Sequence, residues 1–204
     1  MTTVVLVAGG YRTGSTLQYN LLGEYLELIG VGRRIGYVIA DDAESAVAAA
    51  AASGGVAVAK CHQIAPGFHD YRHPGAWGDI VRRGDAVAVL THRDQAAVER
   101  SMCRKFGLDP GELHTSDLWL ENEANLALWR PLARFDQSYV ELTERPRAAL
   151  VALLRALDLP VRRWSVRRAA ADTDARTMAE HQRTIERGTW DPVTLVHWDH
   201  IADD

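Results

Sequence analysis

Lysine and cysteine are nearly missing from this chain: Lys60 and Lys105 are its two lysines and Cys61 and Cys103 its two cysteines, in 204 residues. Two cysteines cannot build a disulfide scaffold or fill a four-ligand zinc site, so a reducing cytoplasm is the expected setting. Long hydrophobic runs are absent as well. The strongly apolar stretch near the start, Val4 to Ala8, is far shorter than the ~20 residues a membrane helix needs, and neither a basic leader nor a small-residue cleavage site accompanies it. No membrane span and no export signal are expected. The chain also lacks a basic excess. Its net charge of −4 excludes a protein whose main business is coating nucleic acid or anionic membrane, so any anion site must be local.

What is present is 47% hydrophobic and 25% charged residues, the balance of one soluble domain over 1–204 with a core and room for a ligand cleft. All basic residues other than Lys60 and Lys105 are arginine and alanine is abundant, a composition that points to a GC-rich bacterium. Val4-Val5-Leu6-Val7-Ala8 followed by Gly9-Gly10 reads as a strand buried on both faces. From Ser15 to Ile29, apolar residues recur at helical spacing and Gly30 sits where a C-terminal cap belongs. Asp41, Asp42 and Glu44 then open an alanine-rich helix through Ala52 that Gly54-Gly55 stops.

Val56 to Lys60 and Ala86 to Leu90 read as a second and third strand, with a short helix from Trp77 to Arg83 between them. Gln95 to Phe106 is a helix closed by Gly107, and Ser116 to Arg134 a longer one that Pro131 should kink or end. Tyr139 to Leu142 reads as a last short strand, and Pro146 to Leu157 as an amphipathic helix. Strands alternating with helices predict a three-layer α/β fold, a parallel sheet with helices on both faces.

Gly9-Gly10-Tyr11-Arg12-Thr13-Gly14-Ser15-Thr16 between a strand and a helix has the layout of an anion cradle. Backbone N–H groups at a helix start point at phosphate oxygens, and Ser15 and Thr16 add hydroxyls. The spacing matches G-x-x-x-x-G, but Ser15 stands where an NTP-hydrolysing loop has lysine. Arg12 supplies the charge instead, through a guanidinium that cannot lose its proton and can grip a phosphate with two parallel bonds. The alternative is a glycine-rich turn without a ligand.

Tyr11-Arg12-Thr13-Gly14-Ser15-Thr16 resembles the 5′-phosphosulfate loop of sulfotransferases that use 3′-phosphoadenosine 5′-phosphosulfate (PAPS). Further segments match in order. Thr91-His92-Arg93-Asp94, with Ser101 eight residues after Arg93, resembles the strand end and helix that hold the nucleotide's 3′-phosphate in that family. Ala59-Lys60-Cys61-His62 resembles its Lys-Thr-His segment; Lys60 and His62, two apart on a strand end, point to one side. The resemblance implies His62 as general base, Lys60 at the transferring sulfonate and leaving phosphate, and Cys61 as inert core. Tyr139-Val140-Glu141-Leu142 with Pro146 resembles a segment whose tyrosine lies near the adenine. Arg187-Gly188, near Trp190-Asp191, echoes the element that closes over the 3′-phosphate.

The implied function is sulfonate transfer from PAPS to a hydroxyl or amine of a small-molecule acceptor, leaving 3′,5′-ADP (PAP). Arg12, Lys60 and His62 form the implied catalytic set; Arg12, Thr13, Gly14, Ser15, Thr16, Arg93, Ser101, Tyr139, Arg187 and Gly188 bind the nucleotide, and no metal takes part. Glu24, Asp41, Glu44, His69 and Asp70 stand as alternative bases. The short chain leaves an acceptor pocket that is open, small or completed by a second subunit, with room for a homodimer. Gln63 to Asp79, with His69, Tyr71, His73 and Trp77, reads as an acceptor loop, and His69 with His73 does not read as a helical metal pair. Arg162, Arg163, Arg167 and Arg168 read as a solvated helix face, and His181, His197 and His200 as surface residues. The competing functions are a small-metabolite kinase, which needs a lysine after Gly14 and an acidic magnesium ligand, and a nucleotide-binding module without catalysis.

Overall fold

The computed structural model describes residues 3–62 and 75–199. Its centre is β1 (Thr3–Gly9), a strand whose alternate residues serve two different cores. Val5 and Val7 pack with α1 (Ser15–Leu28), α8 (Pro146–Ala156) and α9 (Arg163–Asp172) on one face. Val4, Leu6 and Ala8 pack with α2 (Ala43–Ser53), α3 (Gly75–Arg83) and α6 (Asp117–Trp129) on the other. Burial on both faces is why the strand reads as an unbroken apolar run.

Four further strands complete an all-parallel sheet: β2 (Gly32–Tyr37), β3 (Val56–Lys60), β4 (Ala86–His92) and β5 (Ala133–Ser138), in the order β2-β3-β1-β4-β5. The expected α/β fold with helices on both faces is therefore present. Chain order reverses around β1, because α1 carries the chain out to β2 on one side and α3 brings it back past β1 to β4 on the other. The crevice at the carboxyl ends of β1, β3 and β4 is where parallel sheets of this kind bind ligands.

Three expectations need correction. The edge strand β2 has no apolar run to announce it; Arg34 lays its stem over Gly23 and pairs its guanidinium with Glu24 at 3.0 Å and Glu27 at 2.5 Å. The expected helix over Ser116–Arg134 stops at Trp129, and α5 (Pro110–Thr115) precedes it, capped by Asp109 with Glu112. The last strand lies six residues earlier than expected. Tyr139 opens α7 (Tyr139–Glu144), because Ser138 accepts from the Glu141 N–H while the Glu141 carboxylate accepts from the Ser138 N–H, a reciprocal cap that starts a helix.

After α9 come α10 (Ala175–Gln182) and an irregular segment that folds back, with an antiparallel bridge between Trp190 and His197. Arg162, Arg163, Arg167 and Arg168 are exposed, as a solvated helix face requires. No helix among the described residues is long and apolar enough to cross a membrane.

Candidate active site

The loop between β1 and α1 owes its shape to side chains that never reach a ligand. Thr13 Oγ1 donates to the Gly10 carbonyl at 2.9 Å and meets Thr91 Oγ1 at 3.0 Å, tying the loop to the end of β4. Asn122 of α6 accepts from the Tyr11 N–H at 2.5 Å. Arg12 adopts a left-handed backbone (φ 62°), unusual for a residue with a Cβ, and this directs its Nε to Ser101 Oγ at 2.8 Å. Gly14 (φ 101°) caps α1 without a side chain, and a Cβ there would lie 2.6 Å from the Tyr139 ring. Backbone angle and Tyr139 both demand glycine. The uncapped first turn of α1, Ser15 to Leu17, lines the cleft that opens beyond it.

The end of β3 supplies the second element. Lys60 Nζ lies 3.2 Å from His62 Nε2, and His62 Nδ1 lies 2.7 Å from the Gly9 carbonyl oxygen. A carbonyl only accepts, so Nδ1 carries the proton and Nε2 receives the hydrogen bond of the Lys60 ammonium. The His62 backbone is held separately: its N–H donates to Tyr37 Oη at 3.3 Å and its carbonyl accepts from Trp129 Nε1 at 3.1 Å. Tyr11 packs on the imidazole with ring centroids 4.7 Å apart. Burial first, then the charge of Glu121, pushes the Tyr11 phenol up to about 12. Lys60 is buried, and this with the nearby Arg12 charge pushes its ammonium down to about 8. Cys61 points the other way into the core.

The end of β4 and the helix that follows, α4 (Gln95–Phe106), form the third. Asp94 caps α4 by accepting from the Ala97 N–H at 3.0 Å. The Arg93 guanidinium lies over the Tyr139 ring, 4.3 Å from its centroid. Ser101 sits two turns along α4, bonded to Arg12. Burial and the neighbouring Arg93 charge both lower the proton affinity of Arg12. Three elements distant in sequence thus converge on one cluster of partly desolvated cations.

These groups line a cleft of about 450 Å³ whose described wall contains Arg12, Lys60, Arg93, Arg100, Arg104 and Lys105 and no aspartate or glutamate. Like charges held together at a helix N-terminus repel one another and gain when an anion enters. Ser15, Thr16, His62, Ser101 and Tyr139 also line this cleft.

Not every expected residue is there. The Thr13 side chain turns into the loop and away from the cleft. Arg187 lies over the Trp198 ring at 5.5 Å, and neither it nor Gly188 lines the cleft. Among the alternative bases, Glu24 pairs with Arg34, Glu44 pairs with Arg83, and Asp41 is exposed outside the cleft. His69 and Asp70, with Tyr71 and His73 of the expected acceptor loop, lie outside the described residues, as does His200. Trp77 belongs to the core in α3. His197, expected at the surface, lines the cleft with Met178, Gln182 and Val196. Sequence reading also missed Arg100, Arg104 and Lys105, although Arg104 and Lys105 follow Ser101 by three and four residues on one helix, which places them on its face.

No family model matches the chain, and no curated protein matches it. Solved structures do. A mouse sulfotransferase in complex with PAP superposes with a TM-score of 0.56 at 14% identity, over 96% of this chain and 71% of that one. Retinol dehydratase, in complexes with retinol and PAP and with androsterone and inactive cofactor PAP, gives 0.54 and 0.52 at 12% identity over 86% of this chain. The chain spans 65% of the length of the retinol dehydratase chains. At these identities the likeness is one of fold: the chain has the α/β architecture on which that mouse sulfotransferase is built.

Proposed function

We propose that the chain is a PAPS-dependent sulfotransferase that moves a sulfonate to a hydroxyl or amine of a small molecule. The observation that carries the reading is the cluster of Arg12, Lys60 and Arg93 at the uncapped start of α1, in a cleft whose described wall has no acid. This fits a donor with negative charge at both the 5′ and 3′ positions of its ribose. The first turn of α1, with Ser15, Thr16 and Arg12, would hold the 5′ end; Arg93 and Ser101 would hold the 3′-phosphate, and Tyr139 would flank the base. The donor supplies an electrophilic sulfur on a phosphate leaving group.

Lys60 and His62 divide the chemistry between them. The Lys60 ammonium donates to His62 Nε2. When Lys60 turns to the developing charge on the leaving phosphate, Nε2 becomes available for the acceptor's proton. Nδ1, fixed on the Gly9 carbonyl, keeps the ring in the tautomer that this step needs. One domain over 1–204, a cytoplasmic setting, a bacterial source and room for a homodimer belong to the same reading.

The kinase reading is weaker at this site. Ser15 follows Gly14 where it needs lysine, and Asp94 is taken up capping α4. Incubating the protein with PAPS and a panel of phenols, alcohols and amines tests the proposal: PAP and a sulfonated product should form together. Consumption of ATP with magnesium, and none of PAPS, would establish the kinase instead.

The Lys60 ammonium gives this reading a pH signature. Its free-protein value is about 8, and a bound anion raises it, so binding takes up a proton between the two values. Affinity for 3′,5′-ADP should therefore be flat below pH 8 and fall above it, by at most about tenfold per pH unit, until the bound-state value is passed. Titration calorimetry from pH 7 to 10 checks this. Lys60→Met should bind more weakly and lose the alkaline decline; a decline unchanged in that variant would assign it to another group.

A further inference from the structure

The C-terminal segment is tied to the body of the protein in two different ways. Its turn is fixed by neutral hydrogen bonds to α1: Asn20 Nδ2 donates to the Thr194 carbonyl at 2.7 Å, and Tyr19 Oη to the Val193 carbonyl at 3.1 Å. Asp191 closes that turn by accepting from the Val193 and Thr194 N–H groups, and it meets His181 Nε2 at 2.8 Å. Beyond the turn the segment runs along the cleft. His197 lines the wall and stacks on Trp190, centroids 6.1 Å apart. Its far end is held by charge: Asp199 forms an ion pair with Lys105 of α4 and accepts from His197 Nδ1 at 2.5 Å.

Lys105 and His197 line the same cleft, one from α4 and one from the C-terminal segment, so the Asp199 carboxylate links two of its walls. The pair is shielded but reachable, with side-chain exposures of 18% for Lys105 and 25% for Asp199. Asp199 also lies close enough to Arg12 to favour its charged form. A carboxylate thus sits in the field of two cations that face the cleft, where an anionic ligand would place its own charge. The chain carries a competitor for its own site.

We propose that Asp199 is an internal anion that latches the C-terminal segment to Lys105 of the cleft wall, and that an incoming 3′-phosphonucleotide displaces it. The latch rests on reading the cleft as a PAPS site. Ligand phosphate repels the Asp199 carboxylate and competes for the same cations, so the segment opens as the nucleotide enters. The anchored turn on α1 keeps it tethered.

Asp199→Asn keeps the shape and removes the charge. It should bind 3′,5′-ADP about fivefold or more tightly than wild type at low salt, and the gap should close as salt screens the pair. Unchanged or weaker binding would overturn the latch; weaker binding would make Asp199 a residue that positions Lys105 and His197. A second readout uses the unaltered protein. The Trp198 N–H donates to the Thr189 carbonyl, which precedes the anchored turn, at 3.2 Å, so its hydrogen exchange reports whether the limb that carries Asp199 stays seated on the limb before the turn. Saturating 3′,5′-ADP should accelerate that exchange, and protection of Trp198 would overturn the proposal. A wild-type protein that binds no 3′,5′-ADP would refute the PAPS reading and the latch with it. Binding that is indifferent to Asp199→Asn would refute the latch alone.

Discussion

Replacing His62 with alanine should abolish most sulfonate transfer, a loss of ~10²–10⁴ in turnover, while 3′,5′-ADP still binds within a few-fold of wild type. The local fold should survive, because the His62 N–H and carbonyl are held by Tyr37 and Trp129 independently of the ring. What disappears is the nitrogen that takes the acceptor's proton and the partner that parks the Lys60 ammonium. Wild-type turnover should fall on the acid side as the imidazole protonates, and the variant's residual rate should lack that limb. A general base removes a proton without holding the donor, so affinity and turnover separate. Joint loss of both would make His62 a structural residue. Retained activity would move the base elsewhere, to His69 or Asp70 of the 63–74 segment.

Arg93→Ala should weaken 3′,5′-ADP by roughly tenfold or more and leave 5′-ADP almost untouched. Charge-assisted contacts to a phosphate are worth about 1.5–3 kcal/mol each, and one decade of affinity corresponds to about 1.4 kcal/mol. Arg93 lies over the Tyr139 ring, so its guanidinium reaches the ligand already ordered and loses little freedom on binding. The 5′ end would rest on Arg12 and the first turn of α1, which the substitution leaves in place, so 5′-ADP keeps most of its affinity. Calorimetric titration of both nucleotides reads the difference directly. Equal weakening of the two would take Arg93 away from the 3′-phosphate.

The parts of the fold that the sequence displayed are those where burial is symmetrical. Val4 to Ala8 and Val56 to Ala59 lie between two layers of helices, so their apolar runs are unbroken and easily read. The edge strand β2 is half exposed and carries Arg33 and Arg34, and its pairing is decided by β3 and by the Glu24–Arg34–Glu27 network on α1. In β5 the buried position is Gln137, held by Gln18 and the Ala149 carbonyl, a polar solution that leaves no hydrophobic trace. The Ser138 to Glu141 spacing is a helix-start signal that the strand reading of Tyr139 to Leu142 passed over.

The site divides along the same line. Arg12, Lys60, His62, Arg93 and Ser101 sit at strand ends or on the helix after them, where local pattern fixes position, and they meet in one cleft. Thr13 could not be sorted from its neighbours, because its partner Thr91 is 78 residues away. Asn122 gave no signal, and the C-terminal segment reaches the cleft through contacts across 174 residues, such as Asn20 to Thr194. Nothing in the spacing of Arg187, Gly188 and Trp190 reveals that Arg187 turns to Trp198 while His197 takes the cleft wall.

The central claim is that the cation cluster recognises a nucleotide by phosphate at its 3′ position, and the most direct measurement is ligand-induced stabilisation. Purified protein is melted with 3′,5′-ADP, with 5′-ADP and with ATP plus magnesium, each at equal concentration. A ligand at 100 times its dissociation constant adds ~2.7 kcal/mol to stability, enough for a clear rise in melting temperature. The largest rise should come from 3′,5′-ADP, a smaller one from 5′-ADP, and the least from ATP with magnesium, for which the described wall of the cleft offers no carboxylate. Equal or greater protection by ATP with magnesium would contradict the account.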